Sequence, residues 1–162
     1  MTRASTFSAV RGGIIAAGEG SRLRADGYRV SKPMVPVGGR PLIDHALDRF
    51  RSAGIRHLTV AINEASDDCR LWLKGHAGDF DLDMIVRSTP SSYATFRLVA
   101  DRLNDAPAVI TTVDAILPVD QFRTFVTSAS RFPDDAVVLG VTGHVDDENP
   151  LWVTLETPNG RI

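Results

Sequence analysis

Gly18, Gly20 and Arg22 stand directly after a short apolar run, Gly13-Ile14-Ile15-Ala16-Ala17. Glycines at such a point let the backbone turn sharply and bring its N–H groups close to phosphate oxygens. Arg22 adds a planar guanidinium fork whose geometry suits a phosphate. The spacing excludes two other phosphate loops. A dinucleotide fingerprint needs a small third residue at position 23, where Leu23 stands, and the Gly-Lys-Ser/Thr of a P-loop is absent. Taken alone, Gly-x-Gly-x-Arg also describes a tight strand-to-helix turn with a surface arginine.

Two further features bear on this loop. The run Lys32-Pro33-Met34-Val35-Pro36-Val37-Gly38-Gly39-Arg40-Pro41-Leu42-Ile43 puts one lysine in a proline-fixed segment that can fold back over the glycine turn. Its ammonium is a point-charge partner for phosphate, and the other reading is a rigid connector with a solvated lysine. Asp114 ends the apolar stretch 108–113. A carboxylate at the end of a buried strand can hold a divalent cation, or it can cap a following helical turn.

Together the two runs resemble the sugar-phosphate nucleotidyltransferases, the nucleotide-sugar pyrophosphorylases. That family pairs an Ala-Ala-Gly-x-Gly-Ser/Thr-Arg-Leu loop with Lys-Pro-Met/Leu-x-Pro-x-Gly-Gly-Lys/Arg-Pro-Leu/Met-Ile, and the match runs from Ile14 to Ile43. The resemblance implies a Rossmann-like nucleotide-diphospho-sugar transferase fold. It implies that Ala16, Ala17 and Gly18 meet the base and ribose through their backbone. Gly20, Ser21 and Arg22 would hold the triphosphate, and Lys32 would offset charge on the reacting phosphates. It further implies Mg²⁺ as cofactor with Asp114 as its ligand. In the implied reaction a sugar 1-phosphate attacks the α-phosphorus of a nucleoside triphosphate and releases pyrophosphate. Two anions must be aligned and their repulsion offset, so positioning and electrostatics carry the catalysis.

The chain also departs from the family pattern. A Gly-Thr-rich base-contacting stretch is replaced by Ser88-Thr89-Pro90-Ser91-Ser92-Tyr93-Ala94-Thr95, in which the hydroxyls can donate hydrogen bonds and Tyr93 can pack against a ring. A later Glu-Lys-Pro segment and a second metal-binding Asp are missing, and Asp146, Asp147 and Glu148 read as a solvated run. The expectation is an N-terminal nucleotidyltransferase portion, truncated at its C-terminal end, whose activity by itself is open. Two other readings stand beside it: a non-catalytic nucleotide-binding module, and a transferase with a non-sugar acceptor such as molybdopterin. His45, His57, His76 and His144 are scattered without zinc-ligand spacing, and no Gly-x-Ser-x-Gly nucleophile elbow is present.

These residues need a scaffold. Apolar runs at 13–17, 58–62, 82–86, 108–113 and 136–141 read as strands. Residues 24–32 read as a loop. Residues 41–53 read as an amphipathic helix, with Leu42, Ile43, Ala46, Leu47 and Phe50 on one face and Gly54 just past its end. Residues 67–75 read as a short helix carrying Leu71 and Trp72. A helix capped by Ser91 or Ser92 runs to about Leu103, with Phe96, Leu98, Val99 and Leu103 as its apolar members. Another spans 119–129, with Phe122, Phe125 and Val126 inward. Residues 151–162 read as a strand, a tight turn and the start of a returning strand. Such alternation predicts a three-layer α/β/α domain with a mostly parallel sheet and ligands at the carboxyl ends of its strands.

Composition agrees with one soluble domain. Of 162 residues, 43% are hydrophobic and 23% charged, and the net charge of −2 offers no global attraction for nucleic acid or an anionic membrane. No apolar run approaches the roughly 18 residues of a membrane span. Residues 1–10 lack an apolar signal core, and Cys69 is the single cysteine, so a cytoplasmic setting is expected and Cys69 reads as a buried structural thiol. The expected partners are a nucleoside triphosphate and a sugar phosphate. Homo-oligomerisation stays open.

Overall fold

The computed structural model describes residues 10–133, 135–142 and 153–154. In chain order the elements are β1 (Arg11–Ala16), α1 (Ser21–Ala25), a 3-10 turn at Lys32–Met34, a ribbon of β2 (Pro36–Val37) and β3 (Arg40–Pro41), and α2 (Leu42–Ser52). There follow β4 (His57–Ile62), α3 (Asp67–His76), β5 (Asp81–Val86), α4 (Ser92–Arg102), β6 (Ala108–Thr112) and α5 (Val119–Ala129). The main sheet has the order β5-β4-β1-β6, and every pairing in it is parallel.

Alternation along the strands builds two cores. Ile14, Leu58, Val60 and Ile62 meet Leu47, Phe50, Leu73, Phe122 and Val126, so α2, α3 and α5 cover one face. Ala61 and Ile15 meet Val99 of α4 and Leu103 just past its end on the other. This is the expected three-layer α/β arrangement. From β1 the chain winds outward to β4 and β5, then returns past β1 to β6. Its direction therefore reverses between β1 and β6, and the carboxyl ends of those two strands frame the crevice where ligands bind in open α/β sheets.

The central strand is thin by necessity. A Cβ at Gly12 would lie 2.7 Å from Phe50 and Leu58 side-chain carbons, and one at Gly13 would lie 2.6 Å from Val99 Cγ1. Missing side chains at these positions let α2 and α4 close on β1 from opposite faces. The helix α2 stops as its sequence signals. Gly54 adopts φ 73°, its N–H donates to Arg51 O at 3.0 Å and that of Ile55 to Phe50 O at 3.1 Å, the paired bonds of a Schellman stop. Phe50 meets Phe122 edge-on at 5.2 Å, joining α2 to α5. Arg49 on α2 is 1% exposed, and its guanidinium nitrogens have no hydrogen-bond partner among the described residues. Burial lowers its pKa from the ordinary arginine value, and an unpaired buried cation costs stability.

Several expectations are corrected. Residues 136–141 form no strand. Val137 is 86% exposed, and Leu139 and Val141 are exposed too, while Gly140 passes against the Phe125 ring. A β-branched run becomes a strand only where a neighbouring edge pairs with it, and none does among the described residues. Phe96 is exposed rather than in the core, and Thr95, 1% exposed, takes the inward position beside Val99. Leu71 is likewise exposed, and α3 buries Cys69 and Leu73 instead. The loop expected at 24–32 is shorter, because α1 occupies 21–25. Most of the strand and turn expected at 151–162, with His144 and the acidic run 146–148, lies outside the described residues.

Candidate functional site

The glycine turn leaves β1 at the crevice. Gly20 sits in the left-handed region at φ 62°, and its carbonyl accepts the Arg24 N–H at 3.0 Å to start α1. A Cβ there would also come within 3.1 Å of Lys32 Cβ, so backbone conformation and close approach both favour glycine. Gly18 differs. A Cβ on it would meet only Lys32 Cδ at 3.9 Å, an ordinary contact, so the space above it is open.

Lys32 is fixed from behind. Ser31 N–H donates to Asp68 Oδ2 at 2.8 Å at the start of α3, and Pro33 is buried in the 3-10 turn. Burial opposes ionisation of Asp68, but its hydrogen bonds with Ser31 outweigh this and hold its carboxyl below the usual value. From that anchor Lys32 Nζ donates to Asp114 Oδ2 at 2.6 Å. The proline-fixed segment thus folds back over the glycine turn, as its sequence suggested.

Asp114 follows Val113, whose N–H donates to Ile15 O at 3.0 Å and carries the β1–β6 pairing one step past β6. Asp114 lies in a turn and the next helix begins only at Val119, which removes the capping alternative. Burial opposes its ionisation and the Lys32 hydrogen bond outweighs it, so the carboxyl is held below its ordinary value. Among the described residues no three His, Cys, Asp or Glu side chains converge as a metal cage. One exposed carboxylate still fits Mg²⁺, which is commonly held by one or two carboxylates together with substrate phosphates and water.

Two clefts open on either side of the glycine turn. The larger, about 360 Å³, is walled by Ile15, Ala17, Gly18 and Glu19 on one side and by Thr89–Ser92 with Thr95 on the other. Thr89 and Thr95 hydroxyls share a 2.6 Å hydrogen bond, and Ser91 Oγ caps α4 by accepting the Ala94 N–H at 3.1 Å. The smaller, about 110 Å³, is lined among others by Gly18, Glu19, Arg24, Arg29, Lys32 and Asn63.

Ala17, Gly18, Gly20, Lys32 and Asp114 therefore meet at one edge. Ala16 is buried beneath them. Ser21 and Arg22 lie exposed on α1 and line neither cleft. Tyr93 also lies outside the clefts, 68% exposed and stacked on Phe96 at 6.5 Å. Sequence reading missed Asn63. Its amide donates to Ala17 O at 3.2 Å and its Oδ1 accepts the Ala65 N–H at 2.9 Å, tying the end of β4 to the glycine turn. The available signal was a polar residue closing an apolar strand, as at Asp114. Cys69 is fully buried, and burial pushes its thiol up to about 12, aided by the Asp68 charge. It is a packed side chain rather than a nucleophile.

Comparison with known proteins agrees with this geometry. The model of the MobA-like NTP transferase domain matches residues 12–154. A glucose-1-phosphate thymidylyltransferase of Actinoplanes sp. is 32% identical over 156 residues, covering 94% of this chain and 50% of that protein. The bifunctional protein GlmU of Kineococcus radiotolerans is 37% identical over 95 residues, 59% of this chain and 18% of that one. A solved Bacillus anthracis structure, assigned as a glucose-1-phosphate thymidylyltransferase and bound to sucrose, superposes with a TM-score of 0.68 at 24% identity, covering 76% of this chain and 51% of that one. The chain spans about half the length of the thymidylyltransferases it matches and less of the GlmU protein. No helix among the described residues is long and apolar enough to cross a membrane.

Proposed function

The chain belongs to the MobA-like NTP transferase domain family, and we propose that it takes a nucleoside triphosphate and passes the nucleotidyl group to a sugar 1-phosphate. The observation that carries this reading is the convergence of the glycine turn, Lys32 and Asp114 at the reversal of strand order between β1 and β6. The relatives named for glucose 1-phosphate support a sugar acceptor over a non-sugar one, and their transferase names support an enzyme over a passive binding module.

In the reaction an oxygen of the sugar phosphate forms a bond to the α-phosphorus. The bond from that phosphorus to the bridging oxygen breaks, and its electron pair leaves on pyrophosphate. The nucleoside occupies the larger cleft, with Ala17 and Gly18 beneath it and the Thr89–Thr95 hydroxyls across from it. Lys32 offsets phosphate charge as the two anions close. Asp114 would hold Mg²⁺, which would supply Lewis-acid charge to the phosphates. In the free protein Lys32 and Asp114 neutralise one another. The single buried cysteine is in keeping with a reducing, cytoplasmic setting.

A thermal-shift screen of ATP, GTP, CTP, UTP and dTTP with Mg²⁺ tests the reading. One or more should raise Tm, since a ligand that binds only the native state stabilises it. Asp114→Asn should lose the Mg²⁺-dependent part of the shift. No shift with any triphosphate would overturn the proposal.

A further inference from the structure

The smaller cleft contains a feature that neither the glycine turn nor Lys32 explains. Arginines in this chain are commonly matched to nearby aspartates: Arg11 to Asp105, Arg40 to Asp44 and Asp48, Arg51 to Asp79, Arg102 to Asp83. Arg24 and Arg29 have no such match. Their side chains make no hydrogen bond or ion pair among the described residues, and both line one concavity with Lys32. Among the described residues, the only carboxylate lining it is Glu19. Lys32 is already paired with Asp114, so the excess positive charge of the hollow comes from the two arginines set against the single carboxylate Glu19.

From this placement we infer that Arg24 and Arg29 hold the β- and γ-phosphates of the triphosphate, the pair that leaves as pyrophosphate. The inference rests on the nucleotide reading above. The relative sizes fit it: the larger cleft, about 360 Å³, is the roomier for a nucleoside, and the smaller, about 110 Å³, carries the arginines. The two clefts share Gly18 and Glu19, so a phosphate chain passes from one to the other over the open backbone of Gly18. Negative charge grows on the leaving β-phosphate oxygen as the α-phosphorus bond breaks. Two guanidinium forks at that end stabilise it. Asn63 and Ser66 also line this cleft.

Inorganic pyrophosphate is the direct probe, because it needs no knowledge of the base. Isothermal titration would compare the unaltered protein, Arg24→Ala/Arg29→Ala, and Arg123→Ala, which removes a cation from the remote helix α5. The double variant should lose about tenfold or more in affinity for pyrophosphate and for the triphosphate giving the largest thermal shift. Its affinity for glucose 1-phosphate should stay within twofold, and Arg123→Ala should bind all three as the unaltered protein does. Unchanged pyrophosphate binding in the double variant, with triphosphate binding intact in the unaltered protein, overturns this inference alone. Selective loss of glucose 1-phosphate binding also overturns it, by assigning the cleft to the acceptor. Failure of the unaltered protein to bind any triphosphate overturns the nucleotide reading and this inference with it. If the alanine pair unfolds, Arg24→Lys/Arg29→Lys keeps the charge without the fork and should still lose severalfold.

Discussion

At the scale of single residues, the site depends on small distances around Lys32. Its ammonium reaches Asp114 because Ser31 is tied to Asp68 and because Gly20 leaves room for the lysine stem. Gly20→Ala places a Cβ at φ 62° and 3.1 Å from Lys32 Cβ. The left-handed conformation alone costs about 1–2 kcal/mol for a residue with a side chain. On the proposed function, the added contact also displaces Lys32 from the phosphates. Gly20→Ala should therefore lower Tm modestly and cut nucleotidyl transfer much more, with kcat falling further than KM rises. Equal transfer rates in both proteins would show that Lys32 tolerates the shift. Gly18→Ala makes a useful contrast, since a Cβ there strains nothing in the free chain and acts only against a ligand.

At the scale of elements, β1 is the piece on which the others register. It pairs with β4 on one side and β6 on the other, and its glycines admit α2 and α4. Gly13→Ala would force its methyl against Val99 at 2.6 Å, Leu103 at 3.0 Å and Ile110 at 3.1 Å. Overpacking of this kind costs about 1–3 kcal/mol. Chemical denaturation should show a lower midpoint with an unchanged slope, and a variant as stable as the parent would mean α4 can back away without penalty. Most strand and helix periods, a serine cap at 91 or 92 and the Gly54 stop were legible in the sequence, because each is a local pattern of residue types, and the structure selects Ser91 as the cap. Residues 136–141 were misread because strand formation needs a partner edge, which a local pattern does not contain. Phe96 was misread because the turn of α4 puts the smaller Thr95 inward.

At the scale of the whole molecule, aspartates are linked to basic or N–H donors across the fold. Burial opposes ionisation of Asp48, Asp68 and Asp114, and hydrogen bonds with Arg40, Ser31 and Lys32 respectively outweigh it. At Asp79 the Arg51 hydrogen bond leads. All four carboxyls are held below the ordinary value of 3.8. A lowered folded-state pKa gives stability that is complete above the unfolded value and is lost as pH falls through the folded one. These four groups should therefore contribute no slope to Tm between pH 7 and 5 and a steep loss below about pH 4. Removing Asp79, which accepts from Arg51 of α2 while that arginine also donates to His76 O at the end of α3, should flatten part of that acid limb. An unaltered limb would show that the pair contributes nothing.

The sequence by itself marked the glycine turn, the lysine run and the strand-ending aspartate as candidates, since each is a local pattern of residue types. It also determined the α/β class, because apolar periodicity of strands and helices is local. Only the tertiary structure decided that Lys32 meets Asp114, that Asn63 ties β4 to Ala17, and that Arg24 and Arg29 share a hollow while Ser21 and Arg22 line neither cleft. Those facts depend on which strand ends lie side by side. The order β5-β4-β1-β6 brings residues 82 positions apart to 2.6 Å, and no spacing along the chain encodes that distance.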